Sequence, residues 1–182
     1  MEYFVLQVKS NEEDEFIRRA SVSPAGCHGR LFSPKRVLPI RRGGKVTNRE
    51  LPVFPGYVFL EVDSLDREAR WDFRHVEGFY RFLRDAEGDP VPLSEKDRSL
   101  LLHFISLGKR ADISKVTFDE KDRIVVIEGA LKGLEGRIAK VDRRKGRARV
   151  ILDLYEKSFP IDFGFEEVRK VGQGGASSHD ES

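Results

Sequence analysis

The sequence predicts an α+β fold in two parts, a mixed strand-and-helix domain followed by a small β-barrel. Two observations carry this. Residues 1–108 alternate strand-like and helix-like patterns. Beyond Gly108 the pattern becomes short apolar runs separated by turn residues: "RIVVIEG", "GRIAKVD", "RARVILDL", "FPID" and "EEVRKV". Between the two textures, "KRADISKVT" has little hydrophobic pattern and reads as a linker. The expected divisions are a first domain at 1–108, a linker at 109–118, a barrel at 119–172 and a disordered tail at 173–182. The closing "GQGGASSHDES" has no apolar residue large enough to anchor it.

The elements follow in order. "YFVLQV" from Tyr3 is almost wholly apolar and β-rich, as a buried strand requires. Asn11 is placed to cap a helix with Glu12, Glu13 and Asp14 in its first turn and Arg18 and Arg19 later, complementing the helix dipole at both ends. A strand is expected between Arg30 and Pro39, and Gly43-Gly44 in "PIRRGGKVTNREL" suggests a hairpin tip between basic arms. In "LPVFPGYVFLEV", Pro55 lacks an amide donor, so the regular strand should start near Tyr57. Side chains then alternate, with Val58, Leu60 and Val62 on one face and Tyr57, Phe59 and Glu61 on the other. A helix from Asp66 to about Val76 and a strand from Phe79 to Leu83 come next. Ser94 with Asp97 three residues on resembles a capping box, and Gly108 can close the helix that follows.

Composition narrows the function. The 182 residues carry a net charge of +2, yet Lys121–Val150 holds ten Lys or Arg against four Asp or Glu. From Arg137 to Arg149 seven bases face only Asp142, a concentration that suits a polyanion. No apolar stretch approaches the roughly 20 residues of a membrane span. The N-terminus has no signal-peptide pattern, and Cys27 is the single cysteine, so a reducing cytoplasm is the expected setting and no membrane partner is expected. The four histidines are scattered without metal-ligand spacing. No G-x-S-x-G, H-E-x-x-H or C-x-x-C is present, and "GALKGLEG" lacks the Lys-Ser/Thr of a phosphate loop. The expectation is a non-enzyme without cofactor or metal.

Three passages together resemble the NusG family of transcription factors: the opening "YFVLQVKSNEEDE", the strand "FPGYVFLEV", and "DRIVVIEGALKGLEGRIAKVDRRKGRARVIL", which looks like the family's KOW motif with Gly129, Gly133 and Gly136 in its turn. The resemblance implies an NGN domain, whose antiparallel sheet is flanked by helices, joined to an SH3-like KOW barrel. It implies that the first domain binds the coiled-coil clamp helices of RNA polymerase through Phe54, Tyr57 and Phe59. Aromatics on a partly exposed sheet face suit a protein contact. The barrel would recruit partners, such as Rho or a small-subunit ribosomal protein, through the loop holding Leu131 and Leu134. There the family's G-P-F turn is replaced by Gly129-Ala130-Leu131, and leucines lack the flat ring of the usual contact.

The basic hairpin is the other departure. Lys140, Arg143, Arg144, Lys145, Arg147 and Arg149 are expected to contact nascent RNA, with Arg143, Arg144 and Lys145 free at the tip. Both departures lean towards a specialised antiterminator of the LoaP or RfaH type. Glycines and β-branched pairs in residues 124–152 predict a constant barrel on a flexible tether. The chain is expected to be a monomer that alters pausing, termination or antitermination. A free KOW-type RNA-binding protein of ribosome assembly is the alternative, and it leaves the aromatic face without a role.

Overall fold

Strand β1 (Glu2–Val8) lies between β5 (Tyr57–Val62) and β6 (Phe79–Phe82), with β2 (Arg30–Phe32) at the edge beside β5; all neighbours run antiparallel. The computed structural model describes residues 1–168 apart from Glu156, so the expected tail lies outside the described residues. Alternation sorts the side chains of this sheet. Phe4, Leu6, Val8, Val58, Leu60 and Val62 face α1 (Glu13–Ser21) and α2 (Arg67–Arg74), where Phe16, Ala20 and Phe73 complete a core. Tyr3, Val5, Tyr57 and Phe59 face the opposite way, towards α3 (Glu95–Ser106). The Ser94 hydroxyl caps α3 by accepting from the Asp97 amide at 3.2 Å, and Gly108 ends it at φ +88°.

Asn11 does not cap α1. It adopts φ +66°, and Glu12 holds the cap position. The buried Glu13 carboxylate instead accepts from the Asn11 amide at 3.1 Å and the Gly56 amide at 2.6 Å. That second bond anchors the Pro55-Gly56 turn from which β5 departs.

The stretch expected as one strand near Arg30–Pro39 is two. After β2 the chain turns into β3 (Lys35–Arg42), which pairs with β4 (Lys45–Pro52) as a protruding hairpin. Gly43 and Gly44 form its tip with φ +56° and +77°, the two positive values that a tight hairpin turn requires.

The second domain is a five-stranded sheet in the order β8-β7-β11-β10-β9, made of β7 (Ser114–Phe118), β8 (Ile124–Glu128), β9 (Ile138–Asp142), β10 (Arg147–Leu154) and β11 (Lys157–Glu167). Among the described residues of this sheet, only β7 and β11 run parallel. Segments 124–128, 138–142 and 147–154 are strands, as their β-branched content predicts. Two expectations need correction. "FPID" and the start of "EEVRKV" belong to one strand, β11, and residues 169–171 lie outside the described residues. β7 falls inside the expected linker.

Nor is the barrel free on its tether. A single apolar cluster runs from the Tyr3–Phe59 face through Leu100, Leu101 and Phe104 of α3 into Leu131, Leu152, Phe163 and Phe165 of the barrel. Phe104 stacks on Phe163 with ring centroids 5.8 Å apart. The Arg36 guanidinium reaches the Asp162 carbonyl at 2.7 Å, and Gly164 leaves no room for a side chain against Pro39.

Candidate binding surfaces

The aromatic face assembles from four segments. Phe59 stacks on Phe32 at 5.9 Å, and Phe54 meets Phe59 edge-on at 5.6 Å and Phe104 edge-on at 6.1 Å. Tyr3 donates its hydroxyl to Glu61 at 2.7 Å, and this hydrogen bond to a carboxylate, with burial, raises the phenol pKa. The sequence brings Phe54, Tyr57 and Phe59 together as expected, but their exposure is 1%, 8% and 0%. The expected partial exposure is therefore corrected. Besides α3, the cover comes from Phe159 of the barrel, whose ring lies edge-on to Phe54 at 5.8 Å and to Tyr57 at 5.5 Å. A groove of about 360 Å3 remains open at the β2 edge, lined by Tyr3, Phe32, Glu61 and Phe104 among others.

Polar contacts hold this closure in register. Tyr155 donates its hydroxyl to the Val91 carbonyl at 2.6 Å, and burial, reinforced by the charge of Asp97, pushes its pKa far up. His103 bonds through Nε2 to the Ala130 carbonyl at 2.9 Å, and Arg147 donates Nη2 to the Pro39 carbonyl at 2.8 Å. Arg36 is 7% exposed, and its pKa is pushed down to about 10 by burial, offset in part by Asp162. Tyr3, Phe32, Phe104, Phe159 and Phe163 escaped sequence reasoning. Only Tyr3 carried a signal, because period-2 alternation sets it on the same sheet face as Val5.

The loop residues Leu131 and Leu134 are buried as well. The Leu131 amide donates to the hydroxyl of fully buried Ser114 at 3.0 Å, and a Cβ on Gly129 would stand 2.7 Å from Ser114 Cα. This loop lies near α3, where His103 bonds to the Ala130 carbonyl.

The basic hairpin is less positive in space than along the chain. Arg143 is not free at the tip. It pairs with Asp122 and with Glu167 at 2.9 Å, and its guanidinium lies 3.9 Å from the Phe118 ring centroid. Arg149 forms a two-point pair with Asp162 at 2.7 and 3.2 Å, which lowers the Asp162 pKa and raises that of Arg149. Arg147 is committed to Pro39. Lys140 and Arg144 are exposed and make no ion pair among the described residues, while Lys145 is 3.9 Å from Asp142. The described residues contain no group of three or more His, Cys, Asp or Glu suited to a metal, and no helix long and apolar enough to cross a membrane.

An α+β domain whose aromatic sheet face is covered by a small second β domain is a two-domain architecture. Residues 1–102 match the family model described as "Transcription termination factor nusG", so the chain belongs to the NusG family. The Transcription termination/antitermination protein NusG of Thermus thermophilus is 28% identical over 147 residues, covering 78% of this chain and 79% of that protein. Its Neisseria meningitidis counterpart is 25% identical over 145 residues, covering 79% and 80%. A solved structure described as "Domain interaction in Thermotoga maritima NusG" matches with a TM-score of 0.52 at 19% identity, covering 90% of this chain and 93% of that one. That likeness supports the NGN-plus-KOW architecture.

Proposed function

We propose that this chain is a cytoplasmic, non-catalytic transcription factor that binds the clamp helices of RNA polymerase through Phe54, Tyr57 and Phe59 once the barrel has moved away. Bound there, it changes the outcome of pausing or termination. The observation that carries this reading is the convergence of three aromatics on one sheet face whose outer cover includes Phe159, a residue of the other domain. An intact core has no need of a cover drawn from a second domain, whereas a surface used in turn does. The family membership and the names of the relatives support a role in transcription. In the released barrel, Leu131 and Leu134 would offer an apolar patch to a protein partner, and Lys140, Arg144 and Lys145 would offer positive charge to RNA.

The test uses purified bacterial RNA polymerase on a template carrying a terminator. Adding the chain should change read-through, and the Tyr57→Ala or Phe59→Ala variant should lower polymerase affinity. Aromatic anchors at an interface centre often cost about 2 kcal/mol, roughly 30-fold in affinity. Native circular dichroism with undiminished affinity in both variants would remove this face as the contact.

A further inference from the structure

We infer that in the closed molecule the tip of the β3–β4 hairpin and the β9–β10 turn form one composite groove for single-stranded RNA. This rests on the reading of the barrel as an RNA contact and adds the first domain to it. The bond from Arg147 to the Pro39 carbonyl holds the hairpin beside the barrel. Between them lies a groove of about 310 Å3, with Arg41 and Val46 on the hairpin wall and Arg143, Arg144 and Lys145 on the barrel wall. Lys145 also borders a smaller groove of about 110 Å3 that continues to Lys140 and Arg149, with Asp142 and the Arg149-paired Asp162 also lining it. A cationic track therefore crosses the seam between the domains.

Which cations remain available decides the ligand. Arg41, Arg42 and Lys45 at the exposed hairpin tip, like Arg144 and Lys140 on the barrel, have no ion pair among the described residues. Glu166 and Glu167 also line the groove, and Glu167 is held by Arg143. The free positive charges are thus divided between two domains and brought together only by closure. Like charges set side by side oppose that closure, and a phosphodiester chain lying between them relieves the repulsion. A narrow charged groove that follows a backbone suits a single strand.

Linkage then gives a consequence. A ligand that binds the closed form better favours closure, and closure sets Phe159 over Phe54 and Tyr57. RNA held in this groove therefore opposes exposure of the aromatic face.

Contacts from Arg41, Lys140, Arg144 and Lys145 predict a log–log salt slope of about 3, from a coefficient of about 0.7 per phosphate. The same coefficient makes one contact worth about fourfold near 0.15 M salt. The experiment titrates the full chain against a labelled, unstructured oligouridine RNA by fluorescence anisotropy at several salt concentrations. Arg41→Ala should weaken binding about fourfold and lower the slope to about 2, and Arg144→Ala should do the same. Phe159→Ala, which loosens closure, should match Arg41→Ala. If Arg144→Ala weakens binding while Arg41→Ala and Phe159→Ala do not, the composite groove is overturned and the barrel contact stands. If none of the three matters, or the RNA does not bind, both fall. Tighter binding of duplex DNA of equal length would overturn the assignment to RNA.

Discussion

Replacing Phe159 with alanine should release the barrel from the aromatic face without dismantling either domain. The half-buried Phe159 ring meets Phe54 and Tyr57 edge-on at 90° and 86°. Edge-to-face pairs contribute about 0.5–1.5 kcal/mol each beyond the area they bury. Two of them, with roughly 1 kcal/mol for partial burial, put the loss to the closed state at about 2–4 kcal/mol. That shifts the closed-to-open ratio by roughly 30- to 1000-fold. Within the barrel, Phe159 pairs with Leu152 near the start of β11, and Ile161, Phe163 and Phe165 stay in place. Under the proposed function polymerase takes only the open form, and its apparent Kd would then equal the intrinsic value divided by the open fraction. The gain in affinity is therefore limited to the reciprocal of that fraction.

The assay pairs an anisotropy titration of labelled chain with RNA polymerase and amide resonances of β5 in the free protein. The expected result is a shift of the Tyr57–Val62 resonances with at least a tenfold gain in affinity. Shifted resonances without that gain would show that the released face is not the polymerase contact. Unshifted resonances would show that Phe159 does not hold the closure.

The Arg149 hydrogen bond holds the Asp162 carboxyl below its usual range. A depressed folded pKa contributes stability above the unfolded value of about 3.9, and that stability is lost as pH falls through the lower folded value. The melting temperature followed by circular dichroism should fall below about pH 4, and Arg149→Gln should flatten this fall; an equal slope in the variant would refute the pairing. Gly133 and Gly129 both have positive φ, at +84° and +100°, but a Cβ meets nothing within 4 Å at the first and Ser114 Cα at 2.7 Å at the second. Gly133→Ala should cost about 1–2 kcal/mol for left-handed backbone, and Gly129→Ala about 1–3 kcal/mol more for the clash. Equal denaturation midpoints in the two variants would contradict this geometry.

What could be read from the sequence was local. Alternation in β5 sorted two sheet faces, Ser94 and Gly108 bounded α3, and paired glycines marked the β3–β4 tip. β7 was hidden because one of its inward positions is Ser114, a polar residue that is buried with its hydroxyl bonded to the Leu131 amide. Hydrophobic patterning has no means of seeing such a satisfied serine. The basic hairpin was misjudged for a related reason. Asp122, Glu167 and Asp162, which pair with its arginines, lie 13 to 24 residues away along the chain. A count within the segment from Arg137 to Arg149 leaves them out.

The aromatic face raises a harder problem, since a core and a protein interface draw on the same side chains. Tyr57 and Phe59 are chemically suited to both, and their strand neighbours do not separate the cases. The structure supplies what the sequence lacks, in the character of the contacts that close the face. Asp162, Pro39, Val91 and Ala130 supply backbone carbonyls as acceptors, and Arg36, Arg147, Tyr155 and His103 are the donors. On opening, water can satisfy each of these groups, so a polar contact contributes only about 0.5–1.5 kcal/mol net. The aromatic edges behave differently, because exposing Phe54 and Tyr57 leaves apolar surface that water does not compensate. Closure is therefore aligned by exchangeable polar bonds and driven by a surface that favours any apolar cover. Under the proposed function, a partner that offers Phe54 and Tyr57 a better cover than Phe159 would replace the barrel.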